Sequence, residues 1–136
     1  MESTNQEPTK ADVDKLLKFL PLLNAAIGQN PEPVELVQNP NGSYTPYIDY
    51  SELGMELHEI IAKEPWRDFR YDSERALKTT KDPEVLNTAS LSDIKNALFT
   101  QTRAERFCPG SWEGCINSGV FVRLLQRLAV IRQDMA

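Results

Sequence analysis

Apolar residues recur at intervals of three and four in four separate stretches, a spacing that lines one face of an α-helix and fits no strand. Val13, Leu16, Leu17, Leu20, Leu23 and Ile27 form the first stripe, and Leu53, Leu57, Ile60 and Ile61 the second. Leu91, Ile94, Ala97 and Leu98 form the third, and Phe121, Leu124, Leu125, Leu128 and Ile131 the last. Each stripe must be covered by another element, so the chain is expected to pack as a mainly α domain of about four to six helices. The helices opening near Leu91 and Val120 are its expected central antiparallel pair.

Punctuation between the stripes supports this layout. Thr9 with Asp12, Ser51, and Ser90 with Asp93 have the side chains that cap helix N-termini, and Asp72 and Asp82-Pro83 mark two further short helices or turns. Pro21 divides or kinks the first helix near Leu20, Gly28 ends it, and Pro65 ends the second near Glu64. The third should reach about Arg106, where Pro109-Gly110 breaks it; Ser111 then caps a short turn through Cys115, and Gly119 closes that turn. In the last helix Arg123, Gln126 and Arg127 point away from the apolar stripe. Between the first two helices, Val34–Val37 and Tyr44–Ile48 flank Asn39-Pro40-Asn41-Gly42, the pattern of a small β-hairpin in which Pro46 demands an edge position. Residues 1–136 are expected to form one domain, with 1–9 as a flexible tail.

The chain has 136 residues, enough to bury about two-thirds of its unfolded surface without disulfide or metal staples. No apolar run is long enough to span a bilayer, and the start has neither the basic nor the apolar region of a secretory signal, so the expected location is the cytoplasm. Cys108 and Cys115 are read as free thiols; without further Cys or His ligands nearby, no metal or other cofactor is expected. The net charge of −5 disfavours nucleic acid as a partner. That charge is uneven: residues 1–92 hold 9 Lys/Arg against 16 Asp/Glu, giving −7, and residues 93–136 hold 6 against 4, giving +2. The basic end could meet an acidic partner or be a solvated helix surface.

The run Ala104-Glu105-Arg106-Phe107-Cys108-Pro109-Gly110-Ser111-Trp112, followed by Ile116, Gly119 and a Leu/Arg helix, resembles a family of small bacterial domains of unknown function. Members of that family typically read Gly-Glu-Arg-Phe-Cys-Asp-Gly-His-Trp at this point. The resemblance extends from Phe19-Leu20-Pro21 through Pro46-Tyr47-Ile48-Asp49-Tyr50 to the final helix. It implies no activity. Ala104, Pro109 and Ser111 stand where the family has Gly, Asp and His, so any role of that His is lost here, while the retained Glu-Arg-Phe-Cys points to structure or to binding without an imidazole.

Candidate site residues follow from chemistry. Continuing the stripe from Ile94 through Leu98 brings Gln101 and Glu105 onto the apolar face, and a carboxylate there needs an Arg or several backbone donors beside it. Arg132, on the apolar side of its own helix, is one possible partner. Glu105 could therefore be a bracket between helices or a ligand-binding or catalytic group. His58, the single histidine, flanks its stripe and suits boundary packing better than catalysis. Tyr44, Tyr47, Tyr50, Trp66, Phe69 and Tyr71 could line a groove or form a satellite core. No phosphate loop, dinucleotide fingerprint, nucleophile elbow or His-Glu metal motif is present.

The functional expectation is a noncatalytic binding or protein-interaction module using Glu105, Arg106, Phe107, Trp112, Tyr47, Tyr50 and Trp66. Its partner would be a protein or small molecule, with a homodimer as a further option and no membrane. The alternative is a ligand-processing or hydrolase-like enzyme using Glu105 with Arg103 or Arg106.

Overall fold

Thr9 and Asp12 bond reciprocally at the start of the first helix: the Thr9 hydroxyl accepts from the Asp12 amide, and the Asp12 carboxylate accepts from the Thr9 amide at 2.9 Å. This capping box fixes α1 (Lys10–Leu17) in the computed structural model, which describes residues 6–135. Pro21 does divide the first stripe, giving α2 (Leu20–Ala26). Then come β1 (Val34–Gln38), β2 (Tyr44–Ile48), α3 (Glu52–Ile61), α4 (Ser73–Lys81), α5 (Pro83–Asn87), α6 (Leu91–Phe107), α7 (Ser111–Asn117) and α8 (Val120–Gln133). The mainly helical class with a minor hairpin is as expected. The described residues carry eight helical segments, more than the four to six expected, because the break at Pro21 and the caps at Asp72, Asp82 and Gly110 each begin a separate short helix.

One cluster of buried apolar side chains joins these elements. Leu16 of α1, Leu57 of α3, Leu98 of α6, Trp112 of α7, and Leu125 and Leu128 of α8 are all at or near zero exposure within it. Burying each such side chain contributes about 1.5–3 kcal/mol, which makes this cluster the main source of cohesion. α6 and α8 do pack together and are both central: α6 also packs against α3, α4 and α7, and α8 against α1, α2, α4, α5 and α7. The α6 stretch from Ile94 to Thr100 is buried at every position, wider than the stripe anticipated. α7 and α8 meet at 66°.

The hairpin is antiparallel with Val34 opposite Ile48, Leu36 opposite Pro46 and Gln38 opposite Tyr44. Gly42 closes the turn at φ +88°, and its amide donates to the Asn39 carbonyl at 2.9 Å. Most hairpin residues are exposed, so the hairpin is anchored mainly through one end. There Val34 lies against Gly110, where a Cβ would come within 2.4 Å of Val34 Cγ2. Gly110 itself sits at φ +95°, so this contact and this backbone both require glycine.

Residues 1–5 of the expected tail lie outside the described residues. Of the rest, Pro8 is buried, the Gln6 carbonyl accepts from the buried Lys95 ammonium, and Thr9 belongs to the capping box. Among the described residues no single helix is long and apolar enough to cross a membrane.

Candidate functional site

The Glu105 carboxylate, on the last turn of α6, accepts three hydrogen bonds from outside its own helix. The Gly110 amide donates to Oε2 at 2.9 Å, the Trp112 amide to Oε1 at 2.8 Å, and the Tyr50 hydroxyl to Oε2 at 2.5 Å. The chain turns back sharply after Phe107, which brings the unsatisfied amides at the start of α7 over the end of α6. Glu105 thus caps α7 from another helix and ties it to the segment that follows the hairpin. Ser111 is not that cap: Gly110 holds the N-cap position, Ser111 is the first helical residue, and its buried Oγ has no partner. Arg132 is not the partner of Glu105 either, since its guanidinium bonds Asp14 through both carboxylate oxygens at 2.8 and 3.2 Å, clasping α8 to α1.

A second carboxylate lies behind the first. Glu113 is 1% exposed and accepts from Asn30 Nδ2 and Ser51 Oγ, both at 3.2 Å. It fits only because Gly54 has no side chain: a Cβ there would stand 2.1 Å from Glu113 Oε2. The Gly54 carbonyl in turn accepts from Trp112 Nε1 at 2.9 Å. Trp112 packs edge-on to His58 at 4.9 Å between ring centres and against Phe121 at 4.6 Å.

In front of this bracket a cleft of about 490 Å³ opens between α3, α6 and the segment joining α3 to α4. Tyr50, Phe69, Tyr71 and Phe99 contribute aromatic walls, and Arg67, Arg103 and Arg106 contribute cations. Arg67 lies over the Phe69 ring at 4.9 Å and Arg103 over the Tyr71 ring at 5.7 Å, cation–π contacts that hold each guanidinium against an aromatic wall. Tyr71 meets Phe99 edge-on at 5.9 Å. Neither Arg103 nor Arg106 forms an ion pair among the described residues. Asp68 and Glu105 also line the cleft; Asp68 is buried and its carboxylate accepts from the Arg70 amide at 2.9 Å.

Protonation in the cleft follows from burial. The Tyr50 phenol is pushed up to about 12 by desolvation and by its hydrogen bond to Glu105, so it remains a donor at ordinary pH. His58 is lowered below its usual 6.5, first by burial and then by Arg106, with Glu105 opposing. Its imidazole is therefore largely neutral at pH 7.

The sequence-selected residues divide into three groups. Glu105, Arg106 and Tyr50 meet at the cleft, and so does Arg103 of the enzymatic alternative. Trp66 and Trp112 are core side chains at 2% and 1% exposure, with Trp112 reaching only the rim of a smaller hollow shared with Tyr50, His58 and Met55. Tyr47 sits exposed on the hairpin, and Phe107, at 80% exposure, projects outside the cleft. Arg127, expected to point away from the core, is half-buried and donates through Nε to the Ala89 carbonyl at 2.9 Å. Arg67, Phe99 and Glu113 were missed. Glu113 left one readable signal, the glycine at position 54 inside an otherwise good helix, which marks a close approach by another group.

The two cysteines lie apart in environment. Cys108 is exposed, whereas Cys115 is largely enclosed, donates to Gln101 Oε1 at 3.4 Å, and has its thiol pushed up to about 11 by burial. Among the described residues no group of three or more His, Cys, Asp or Glu side chains could hold a metal ion.

Residues 8–134 match the model of a family described as "Family of unknown function (DUF6508)". No curated protein and no solved structure matches the chain.

Proposed function

Because the chain belongs to the DUF6508 family, for which no activity is described, we propose from the geometry alone that it is a noncatalytic binding module whose ligand occupies the α3–α6 cleft. The observation that carries this reading is the division of labour around Glu105. Its carboxylate is spent on two backbone amides and a phenol, while Arg103 and Arg106 stand beside aromatic walls with no carboxylate paired to them among the described residues. Such a surface suits a planar group bearing a negative charge, stacked on the rings and bonded to a guanidinium. It could belong to a small molecule or to an acidic side chain of a protein partner.

The enzymatic alternative draws support from the open cleft at Glu105, but the Glu105 carboxylate on which it relies is already engaged by three donors. A base must be within hydrogen-bond reach of that proton and able to take it. Here protonation would weaken the contacts that hold α7.

Benzoate is a suitable probe, followed by amide shifts in a ¹H–¹⁵N spectrum. The binding reading expects saturable shifts at Tyr71, Phe99 and Arg103, with affinity falling by about tenfold in Arg103→Ala, the loss of one charge-assisted contact. No saturable shift in the cleft, or an unchanged affinity in the variant, would overturn it.

A further inference from the structure

A larger groove of about 830 Å³, sharing no lining residue with the α3–α6 cleft, runs between the α4–α5 junction and α8. Three charged side chains line it, Lys81, Arg123 and Arg127, and all three are cations. No aspartate or glutamate lines it among the described residues, although the whole chain carries a net charge of −5. Like charges gathered in one concavity repel each other, and a protein with acidic residues to spare has left this concavity without one.

The two guanidiniums are positioned rather than loose. Arg127 donates through Nε to the Ala89 carbonyl at 2.9 Å, and Arg123 donates through Nη1 to the Ser118 carbonyl at 3.3 Å. Each bond uses one of five N–H donors and leaves the charge in place, so neither arginine is neutralised by its anchor. Ser118 and Val120 also line the groove, which puts the start of α8 in its wall. Leu86, Val120 and the exposed Val130 give the same groove an apolar wall.

We propose that this groove is a second binding site, separate from the α3–α6 cleft, for a small soluble molecule that combines a phosphate group with an apolar body. The phosphate lies among Lys81, Arg123 and Arg127, where it finds three cations. The apolar body covers Leu86, Val120 and Val130. Phosphate suits the site better than a carboxylate because its three oxygens can meet several donors arriving from different directions.

The test uses phenyl phosphate, with inorganic phosphate and sodium chloride at matched ionic strength as comparisons, on the full chain. Amide shifts at Leu86, Val120 and Arg123 should saturate with phenyl phosphate, at least about threefold tighter than with inorganic phosphate. Arg123→Gln and Lys81→Gln, both exposed substitutions, should each weaken binding by about fivefold or more, with unchanged spectra elsewhere. Shifts that grow without saturation and match those from chloride would overturn the proposal. So would saturable shifts confined to Tyr71 and Arg103, which would assign the anion to the other cleft. Sedimentation with phosphatidylglycerol vesicles in the absence of saturable phenyl phosphate binding would overturn it in favour of a lipid surface.

Discussion

Glu105 and Trp112, seven residues apart in sequence and on different helices, are joined by a hydrogen bond of 2.8 Å from the Trp112 amide to the Glu105 carboxylate. The bond places a carboxylate at the positive end of α7 and thereby fixes Trp112, whose ring supports His58 and Phe121. One acidic side chain thus sets both the turn between α6 and α7 and the back wall of the cleft.

Tyr50→Phe removes one of the three donors to Glu105 and leaves the ring in place. With Tyr50 41% exposed, the expected loss is about 1 kcal/mol or less, read from urea unfolding. A loss as large as that from Glu105→Gln would mean that the phenol, and not the two amides, carries the bracket.

Gly54→Ala should destabilise the protein, although alanine ordinarily favours a helix by about 0.5–1 kcal/mol over glycine. The new methyl would stand 2.1 Å from Glu113 Oε2 and 3.0 Å from Ser51 Oγ, an overpacking expected to cost about 1–3 kcal/mol. Added to Glu113→Ala, the same substitution should cost less, with a coupling of at least about 0.5 kcal/mol in a double-mutant cycle. Strict additivity would show that the two groups do not compete for the same space.

His58, as the single histidine, gives one imidazole titration by NMR. Its midpoint should lie below 6.5, because burial and Arg106 outweigh the pull of Glu105. The native state then binds fewer protons than the unfolded chain between that midpoint and 6.5, so stability falls as pH is lowered through this window and is unaffected by His58 above it. His58→Gln should flatten that part of the profile. A midpoint above 6.5 would mean that Glu105 dominates.

Iodoacetamide under native conditions should modify Cys108 and spare Cys115. Cys108 is exposed, while Cys115 combines enclosure with a thiol near 11, leaving on the order of one thiolate in a thousand at pH 8. Mass spectrometry of the digested protein distinguishes the sites, and equal labelling would contradict the packing around α7.

Much of the fold was legible because it rests on local rules. Thr9, Ser51, Asp72, Asp82 and Ser90 cap helices where their side chains and the following stripes indicate. The Asn-Gly turn sets the hairpin, and Gly119 opens α8 at φ +85°. Glu105 was legible as a polar group continuing an apolar stripe, and its need for an Arg or several backbone donors followed from that position, but not that the donors would be two amides and the Tyr50 phenol. What escaped was non-local. That Ser111 would yield its capping role to a residue on another helix depends on how sharply the chain folds back at Gly110. That Arg132 would meet Asp14, and Arg67 and Phe99 would join the cleft, depends on helix placement that periodicity does not encode. Trp66 and Tyr71 look alike in sequence as neighbours of one loop, yet packing sends the first to the core and leaves the second at the cleft.

The most direct test of the central claim compares wild type with Glu105→Gln, measuring the thermal midpoint and, at a temperature where both are folded, the affinity for benzoate. If Glu105 is the bracket behind a binding cleft, the midpoint should drop by several degrees, for a loss of about 1.5–3 kcal/mol, while the folded variant retains benzoate affinity within a fewfold. An unchanged midpoint with affinity abolished would contradict the account and make Glu105 a ligand-contacting group.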